Sequence, residues 1–379
     1  AFRDARRLHQ RVKRLGLRAA FSDSDIEIID LAAPVDDMKA RNAPELIERL
    51  KSTLRDRNVI AIVGPSNTEF TPEVLDVVKE SGRRPAIVLT TAAARADIGW
   101  EESGLPIFRV GSGVDERAEQ FARLARNTIR SGVEVVLLYE SVPSSPDKTY
   151  GELFFARIKD NMPEWSDWVK EGKVRDIPYY RGSIMDSFAR PQQSAIFDQN
   201  KMVVVVGLSS DYEDLAKGFY RADQPRRAAL LGGWNASTAL MRISGEMDIQ
   251  TDRLFDMTDV FRSPADTRGL PDSRRFQQEF GPLTPAVRQE AVAYDSGLVV
   301  KLAAMQLGEE ITAERLVEIL RGQSFSGITG EITFSEGGQN AGQAGGMRPL
   351  YNLNYDPSAT NWREIESFDA LLGRNLAGR

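Results

Sequence analysis

Four consecutive valines, Val203-Val204-Val205-Val206, follow Met202 without a polar break and end at Gly207. A strand with water on one face alternates apolar and polar residues. An unbroken β-branched run instead needs cover on both faces, which a parallel sheet flanked by helices supplies. Runs of the same kind recur, and the strand candidates are Ile26–Leu31, Val59–Gly64, Ala86–Leu89, Ile107–Val110, Val133–Tyr139, Met202–Gly207 and Ala228–Gly232. Amphipathic helices separate them. Leu46, Ile47, Leu50 and Leu54 share one stripe. Thr71-Pro72-Glu73 predicts an N-cap, a proline in the first turn and an acid beside the helix dipole. Asp115 and Glu116 likewise load the start of a helix through Ala118, Phe121, Ala122 and Ala125. Strand–helix alternation of this kind predicts a doubly wound parallel α/β fold. A length of 379 residues leaves room for about two or three domains.

Composition narrows the chemistry. There is no cysteine, so disulfides, thiolate nucleophiles, zinc–thiolate sites and iron–sulfur clusters are all excluded. His9 is the single histidine, which excludes a multi-histidine metal site and leaves a Ser-His-Asp triad only that one residue to use. Forty-nine basic against 55 acidic side chains give a net charge of −6, the wrong balance for a polybasic nucleic-acid or membrane binder. No apolar run approaches the length that spans a bilayer. No signal-like pattern opens the sequence, and because it starts at Ala1-Phe2-Arg3 this says little about location.

Two segments stand apart. Arg3 to Leu17 predicts a helix with Leu8, Val12 and Leu15 on one face and a dense arginine and lysine face opposite, best read as solvated rather than as a phosphate or lipid contact. Glu336–Met347, EGGQNAGQAGGM, reads as a surface loop. Enzyme signatures are missing: no GxxxxGK[ST] loop, no GxSxG elbow, and neither Gly64 nor Gly111-Ser112-Gly113 completes a dinucleotide fingerprint. Acid pairs such as Asp36-Asp37 and Glu101-Glu102 are adjacent and point apart.

What recurs is a strand, a short polar turn and a helix start. The pattern appears at Val63–Thr68, Leu89–Ala94, Val206–Ser210 and Leu231–Asn235. In a doubly wound sheet such turns gather at the carboxyl ends of the strands, where small residues admit a ligand and free N–H groups attract anionic oxygen. Helix capping by Ser and Thr explains any one of them; four together favour a binding site.

These segments, in this order, resemble the type I periplasmic binding proteins of the branched-chain amino-acid-binding kind. NVIAIVGPSNTEFTPEVLDVVKESGRRPAIVLTTAAARADI is similar to that family's first ligand-binding half, and VEVVLLYESVPSSPDKTYGELFFARIKD to the opening of its second domain. RRAALLGGWNAS, VRQEAVAYDSGLVVKLA and FSGITGEITFSEGG match later landmarks, so the resemblance runs from about Ile26 onward. It implies two α/β lobes joined by three crossings, with ligand held by hinge closure. The crossings fall near Gly111–Gly113, Val260–Pro264 and Gly327–Gly330, giving residues 1–111 with 264–328 as lobe 1 and 112–263 with 329–379 as lobe 2. The ligand contacts it implies are Thr68, Thr90, Thr91, Ala92, Ala94, Tyr150, Ser209, Trp234 and Tyr294, with no metal and no cofactor. It further implies an extracytoplasmic protein, periplasmic or at the cell surface with or without a lipid anchor. Its partners would be a small-molecule ligand and the membrane permease of an ABC importer, without nucleic acid.

Departures bear on the ligand. Amino-acid binders carry an acid on the Gly-Gly-Trp loop to pair the ligand's ammonium, whereas Trp234 stands there and supplies no charge. The hydroxyl expected around Ala94 is also missing, although Thr90 and Thr91 are close by. The expected ligand is therefore a small carboxylate or an aromatic acid rather than a standard zwitterionic amino acid. A further departure is the start: the family opens on a central strand, but this chain opens on the helix at Arg3, so the strand lies upstream or another segment fills its place. The alternatives are a ligand-sensing domain of a regulator or signalling receptor with the same fold, in which a fused signalling domain replaces the permease, and, remotely, a Rossmann-like enzyme.

Overall fold

The computed structural model describes residues 27, 29, 43–64, 71–89, 103–111, 113–142, 149–180, 183–188, 195–198, 200–221, 223, 227–233, 236, 239, 243, 248–249, 253–257, 271–280, 288–308, 310–338, 350–352 and 364–365. Its elements begin with α1 (Ala43–Asp56), β1 (Ala61–Val63), α2 (Thr71–Glu80), β2 (Ala86–Leu89) and β3 (Ile107–Arg109). There follow α3 (Val114–Arg130), β4 (Glu134–Ser141), α4 (Tyr150–Asn161), α5 (Trp165–Lys170), β5 (Val174–Tyr180), β6 (Lys201–Val206) and α6 (Ser209–Phe219). Then come β7 (Ala229–Gly232), β8 (Leu254–Met257), α7 (Pro271–Phe280), α8 (Arg288–Leu307) and α9 (Ala313–Gly322). The last are β9 (Ser324–Ser326), β10 (Glu331–Thr333), β11 (Leu350–Asn352) and β12 (Glu364–Ile365). The chain divides into two compact units, Ala1–Gly113 with Val260–Gly346 and Val114–Asp259 with Met347–Arg379.

In the first unit β1, β2 and β3 run parallel in that order, with Ile62 opposite Ile87 and Val88 opposite Phe108. One face buries Ile87, Leu89 and Ile107 against Leu50 and Leu54 of α1 and Val74 and Val78 of α2. α8 packs on β1 and β2, and its residues 290–301 are buried all round, the pattern of a core helix rather than a surface one. Asp295 on α8 fixes the turn before β10, accepting from Ile328 N (2.7 Å), Thr329 N (2.8 Å) and Thr329 Oγ1 (2.6 Å). Phe334 meets Phe108 edge-on at 5.0 Å, and Arg109 N donates to Gly338 O at 2.8 Å. These contacts hold the chain to the first unit as far as Gly338, past the third crossing that the sequence placed near 327–330. Glu27 and Ile29, the two described residues of the strand expected over Ile26–Leu31, are exposed and outside any strand. Both lack the paired ladder a strand requires, and among the described residues no central strand lies beside β1.

In the second unit seven strands form one sheet, in the order β12-β11-β8-β7-β6-β4-β5. β5, β4, β6, β7 and β8 are parallel, and β11 and β12 add antiparallel at the β8 edge. The valine run forms β6, and Val203 through Val206 are at most 3% exposed. Val136, Leu138, Val203, Val205 and Leu230 face one way, onto Tyr212, Leu215 and Ala216 of α6. Val135, Leu137, Met202 and Val204 point the other way, and Thr128 Oγ1 of α3 approaches Met202 Sδ at 3.9 Å on that side. α3 and α4 pack together and both meet β4. The doubly wound arrangement read from the sequence is present. β5 escaped that reading because it is an edge strand. Arg175, Pro178 and Tyr180 are exposed while Val174 and Tyr179 are buried, and a proline suits an edge that should not pair further.

Tyr212 ties the sheet to α6. Its hydroxyl accepts from Phe255 N at 3.1 Å and shares its proton between Leu230 O (3.2 Å) and Phe255 O (3.1 Å), bridging β7 and β8. Tyr212→Phe keeps the ring but removes this donor and acceptor from a fully buried place. We expect a loss of about 1–3 kcal/mol in urea unfolding, with an unchanged m-value.

Candidate functional site

Counted from its first parallel strand, the second unit's sheet has the order 2-1-3-4-5: β5, β4, β6, β7, β8. The winding reverses between β4 and β6, and open α/β sheets bind ligands outside the carboxyl ends of the strands at such a reversal. Two chain segments leave the sheet there. One runs from β4 to α4, the other from β6 to α6.

Both are built by the same local chemistry. Thr149 caps α4: its Oγ1 accepts from Glu152 N (3.2 Å) and donates to Glu140 O (2.7 Å). Glu152, three residues into the cap, returns the bond by accepting Thr149 N at 2.8 Å, and its other oxygen accepts Ser141 Oγ at 2.7 Å. At α6 the acid is Asp211, whose Oδ2 accepts Leu208 N (3.2 Å) and the Tyr179 hydroxyl (3.1 Å). In each case a carboxylate at the third helical position ties down the backbone of the cap. The side chain at the first helical position is Tyr150 in one and Ser209 in the other, and both are half-buried.

Glycines let the two segments approach. A Cβ on Gly151 would lie 2.5 Å from Glu140 O, 2.6 Å from Glu140 N and 3.0 Å from Val206 O. A Cβ on Gly207 would strike the Tyr179 hydroxyl and sit 3.3 Å from the Glu140 Cβ. Glu140, 2% exposed at the end of β4, is thus the point about which both helix starts are arranged. Tyr150 has a charged neighbour, because Arg117 Nη1 of α3 donates to its hydroxyl at 3.2 Å and the guanidinium carbon lies 5.8 Å from the ring centre. The Arg117 residue is only 3% exposed.

Of the residues picked from the sequence, Tyr150 and Ser209 are brought to this switch point. Tyr294 belongs to the other unit. It is fully buried in the first unit, seven residues into α8, edge-on to Phe276 at 5.5 Å with its hydroxyl 3.4 Å from Asp272 Oδ1. Burial first, and the Asp272 carboxylate second, push its phenol far above the ordinary range. Thr68, Thr90, Thr91, Ala92, Ala94 and Trp234 lie outside the described residues. The two glycines before Trp234 are described. Gly233 N donates to Val205 O at 2.8 Å, and a Cβ on Gly232 would meet Ala236 and Asp256. Arg117, Glu140 and Asp211 were missed in the sequence. Arg117 had a usable signal, since it interrupts the buried stripe of Val114, Ala118 and Phe121 on α3. Among the described residues no group of His, Asp and Glu is arranged to hold a metal ion, and no helix is long and apolar enough to cross a membrane.

No protein-family model matches the chain, and no curated protein matches it. Solved structures do. An ABC transporter substrate-binding protein from Desulfitobacterium hafniense, in complex with Leu, is 15% identical with a TM-score of 0.62, over 93% of this chain and 95% of that one. The leucine-binding protein LivK from Thermotoga maritima is 15% identical with a TM-score of 0.63, over 90% and 89%. The branched-chain amino-acid transporter substrate-binding protein LivJ from Streptococcus pneumoniae, in complex with isoleucine, is 14% identical with a TM-score of 0.58, over 90% of each chain. The fold is that of the type I periplasmic binding proteins.

Within this type I fold the α4 cap carries a pH signature. Burial pushes the Glu152 carboxyl up, but hydrogen bonds from Ser141 and Thr149 outweigh it and hold the group below its usual range. An acid with a depressed folded pKa adds stability above its unfolded pKa, and that stability is lost as the pH falls through the folded value. Glu152→Gln should therefore cost about 1 kcal/mol near neutrality, the size of a lost cap, reduced by the water that reaches the site. Urea midpoints of the two proteins should converge as the pH drops below the ordinary carboxylate range; a gap that persists there would contradict this assignment.

Proposed function

We propose that the chain is an extracytoplasmic solute-binding protein that delivers a small organic ligand to the membrane permease of an ABC-type importer. The observation that carries this reading is the placement of Tyr150 and Ser209 at the helix starts on either side of the β4/β6 switch point. The fold is shared with proteins from D. hafniense and S. pneumoniae whose structures hold leucine and isoleucine. Hydroxyls, an aromatic ring and helix starts suit gripping a molecule rather than transforming it, and a chain with one histidine and no cysteine has little else to offer a reaction. Ligand binding would shift the population toward a closed form that the permease recognises.

For the ligand we favour a small carboxylate or an aromatic acid over a zwitterionic amino acid. Trp234 follows Gly232-Gly233, the place where the family resemblance puts an acid in amino-acid binders. A tryptophan leaves a buried ammonium unpaired at a cost of several kcal/mol. With Tyr150 it could stack on an aromatic ligand, each ring adding about 0.5–1.5 kcal/mol beyond burial.

A thermal-shift screen of amino acids, hydroxy acids, keto acids and aromatic acids tests both levels. A ligand present at a hundredfold its Kd stabilises by about 2.7 kcal/mol, a shift easily read. Acids should give the large shifts. Leucine shifting the protein more than any acid would overturn the ligand preference, and no shift with any compound would overturn the binding role. Trp234→Ala should weaken the best acid tenfold or more, and an unchanged affinity would return Trp234 to packing.

A further inference from the structure

We infer that β1 is a pairing edge for a second copy of this chain, the two β1 strands meeting antiparallel across a two-fold axis at Ile62. The inference goes beyond the solute-binding reading and does not depend on it. Ala86 N donates to Ile60 O at 3.0 Å and Gly64 N donates to Val88 O at 2.9 Å, and between them Ile62 lies opposite Ile87. Peptide groups alternate in direction along a strand, so residues 60, 62 and 64 turn theirs to β2 while Ala61 and Val63 turn theirs away. Among the described residues nothing pairs with Ala61 or Val63 on that outer side. Val59 to Gly64 are all half-buried, whereas β2 beside them is fully buried.

An apolar edge left open in this way accepts another strand, and proteins that avoid such pairing guard it. At the far side of the same sheet, β3 is met by Gly338, whose carbonyl takes Arg109 N at 2.8 Å. In the second unit the β5 edge carries exposed Arg175 and Pro178. β1 has no such guard, because Val59-Ile60-Ala61-Ile62-Val63 holds neither a proline nor a charge. Its occupant has to be a strand, since only a strand offers donors and acceptors at this spacing. A second β1 meets that requirement with its own register. With Ile62 opposite the partner's Ile62, Ala61 of each chain faces Val63 of the other, and both of these pairs exchange two hydrogen bonds. The outward peptide groups of β1 are then satisfied, and no like charges stand opposite one another from Val59 to Val63. A two-fold contact of this kind closes on itself, so the product is a dimer rather than a fibre.

The test uses the full chain. Light scattering over a concentration series should show a mass that rises toward twice that of one chain. Ala61→Pro removes an outward N–H and leaves the bonds to β2 in place, as a proline on an outer edge does, and should weaken the dimer tenfold or more. The chain has no cysteine, so single substitutions report the register directly. Facing residues of the kind placed at Ile62 have Cα atoms about 4.5 Å apart, within disulfide reach, so Ile62→Cys should cross-link two chains under mild oxidation. Ala61→Cys should not, because in this register its counterpart lies two residues further along the strand, beyond the reach of about 7 Å. Circular dichroism establishes that each variant is folded, and the two cysteine variants carry the test should the proline variant unfold. The inference is overturned by a chain that stays monomeric at every concentration, or by a dimer that folded Ala61→Pro leaves as tight as before. It is equally overturned if Ile62→Cys fails to cross-link or if Ala61→Cys cross-links as readily.

Discussion

A strand buried on both faces dictates the second unit. β6 is made of valines on either side, so helices must lie above and below it, and each parallel neighbour must be reached by a crossover rather than a hairpin. The chain satisfies this by placing β5 on one side of β4 and then β6, β7 and β8 on the other. That order makes a reversal at β4/β6 unavoidable, and with it a place where two helix starts diverge from adjacent strand ends. The geometry of this switch point is thus a by-product of covering an apolar sheet.

Holding those helix starts is a separate problem, solved with hydrogen bonds. Glu152 and Asp211 each take the amide of the cap three residues before them, and each also takes a hydroxyl, from Ser141 or Tyr179. Gly151 and Gly207 remove the side chains that would otherwise keep α4 and α6 away from Glu140. The result is a rigid base built from acids, hydroxyls and missing Cβ atoms.

How far the sequence could be read follows from which forces act locally. Ala86–Leu89 appears as a strand at the residues expected, and the valine run differs by one residue at each end, because a short apolar run bounded by turns leaves few alternatives. β5 and β8 were not seen: one is a half-exposed edge with Pro178, and the other is four residues long with Asp256 inside it. Ile26–Leu31 has strand composition, but Ile29 is 39% exposed, because composition alone supplies no neighbour to pair with. At the site, Tyr150 and Ser209 were legible as residues opening helices after strands. Tyr294 is near a helix start in the same pattern, and its surroundings within the first unit, with Phe276 of α7 against its ring, come from tertiary packing that the local pattern does not carry. Glu140 was invisible for the same reason, since its importance arises only when α4 and β4 meet, and the break that Arg117 makes in the apolar stripe of α3 gains meaning only beside α4.

This division of labour explains how 14–15% identity can accompany a common fold while leaving the ligand open. The third helical position and the glycines carry the structural burden of the two helix starts. Tyr150 and Ser209 open those helices without making the cap bonds themselves, so the caps do not dictate which side chains stand there. Arg117 meets the Tyr150 hydroxyl from a different helix, so what stands behind this position depends on how α3 and α4 pack side chain against side chain, the part that backbone similarity conveys least.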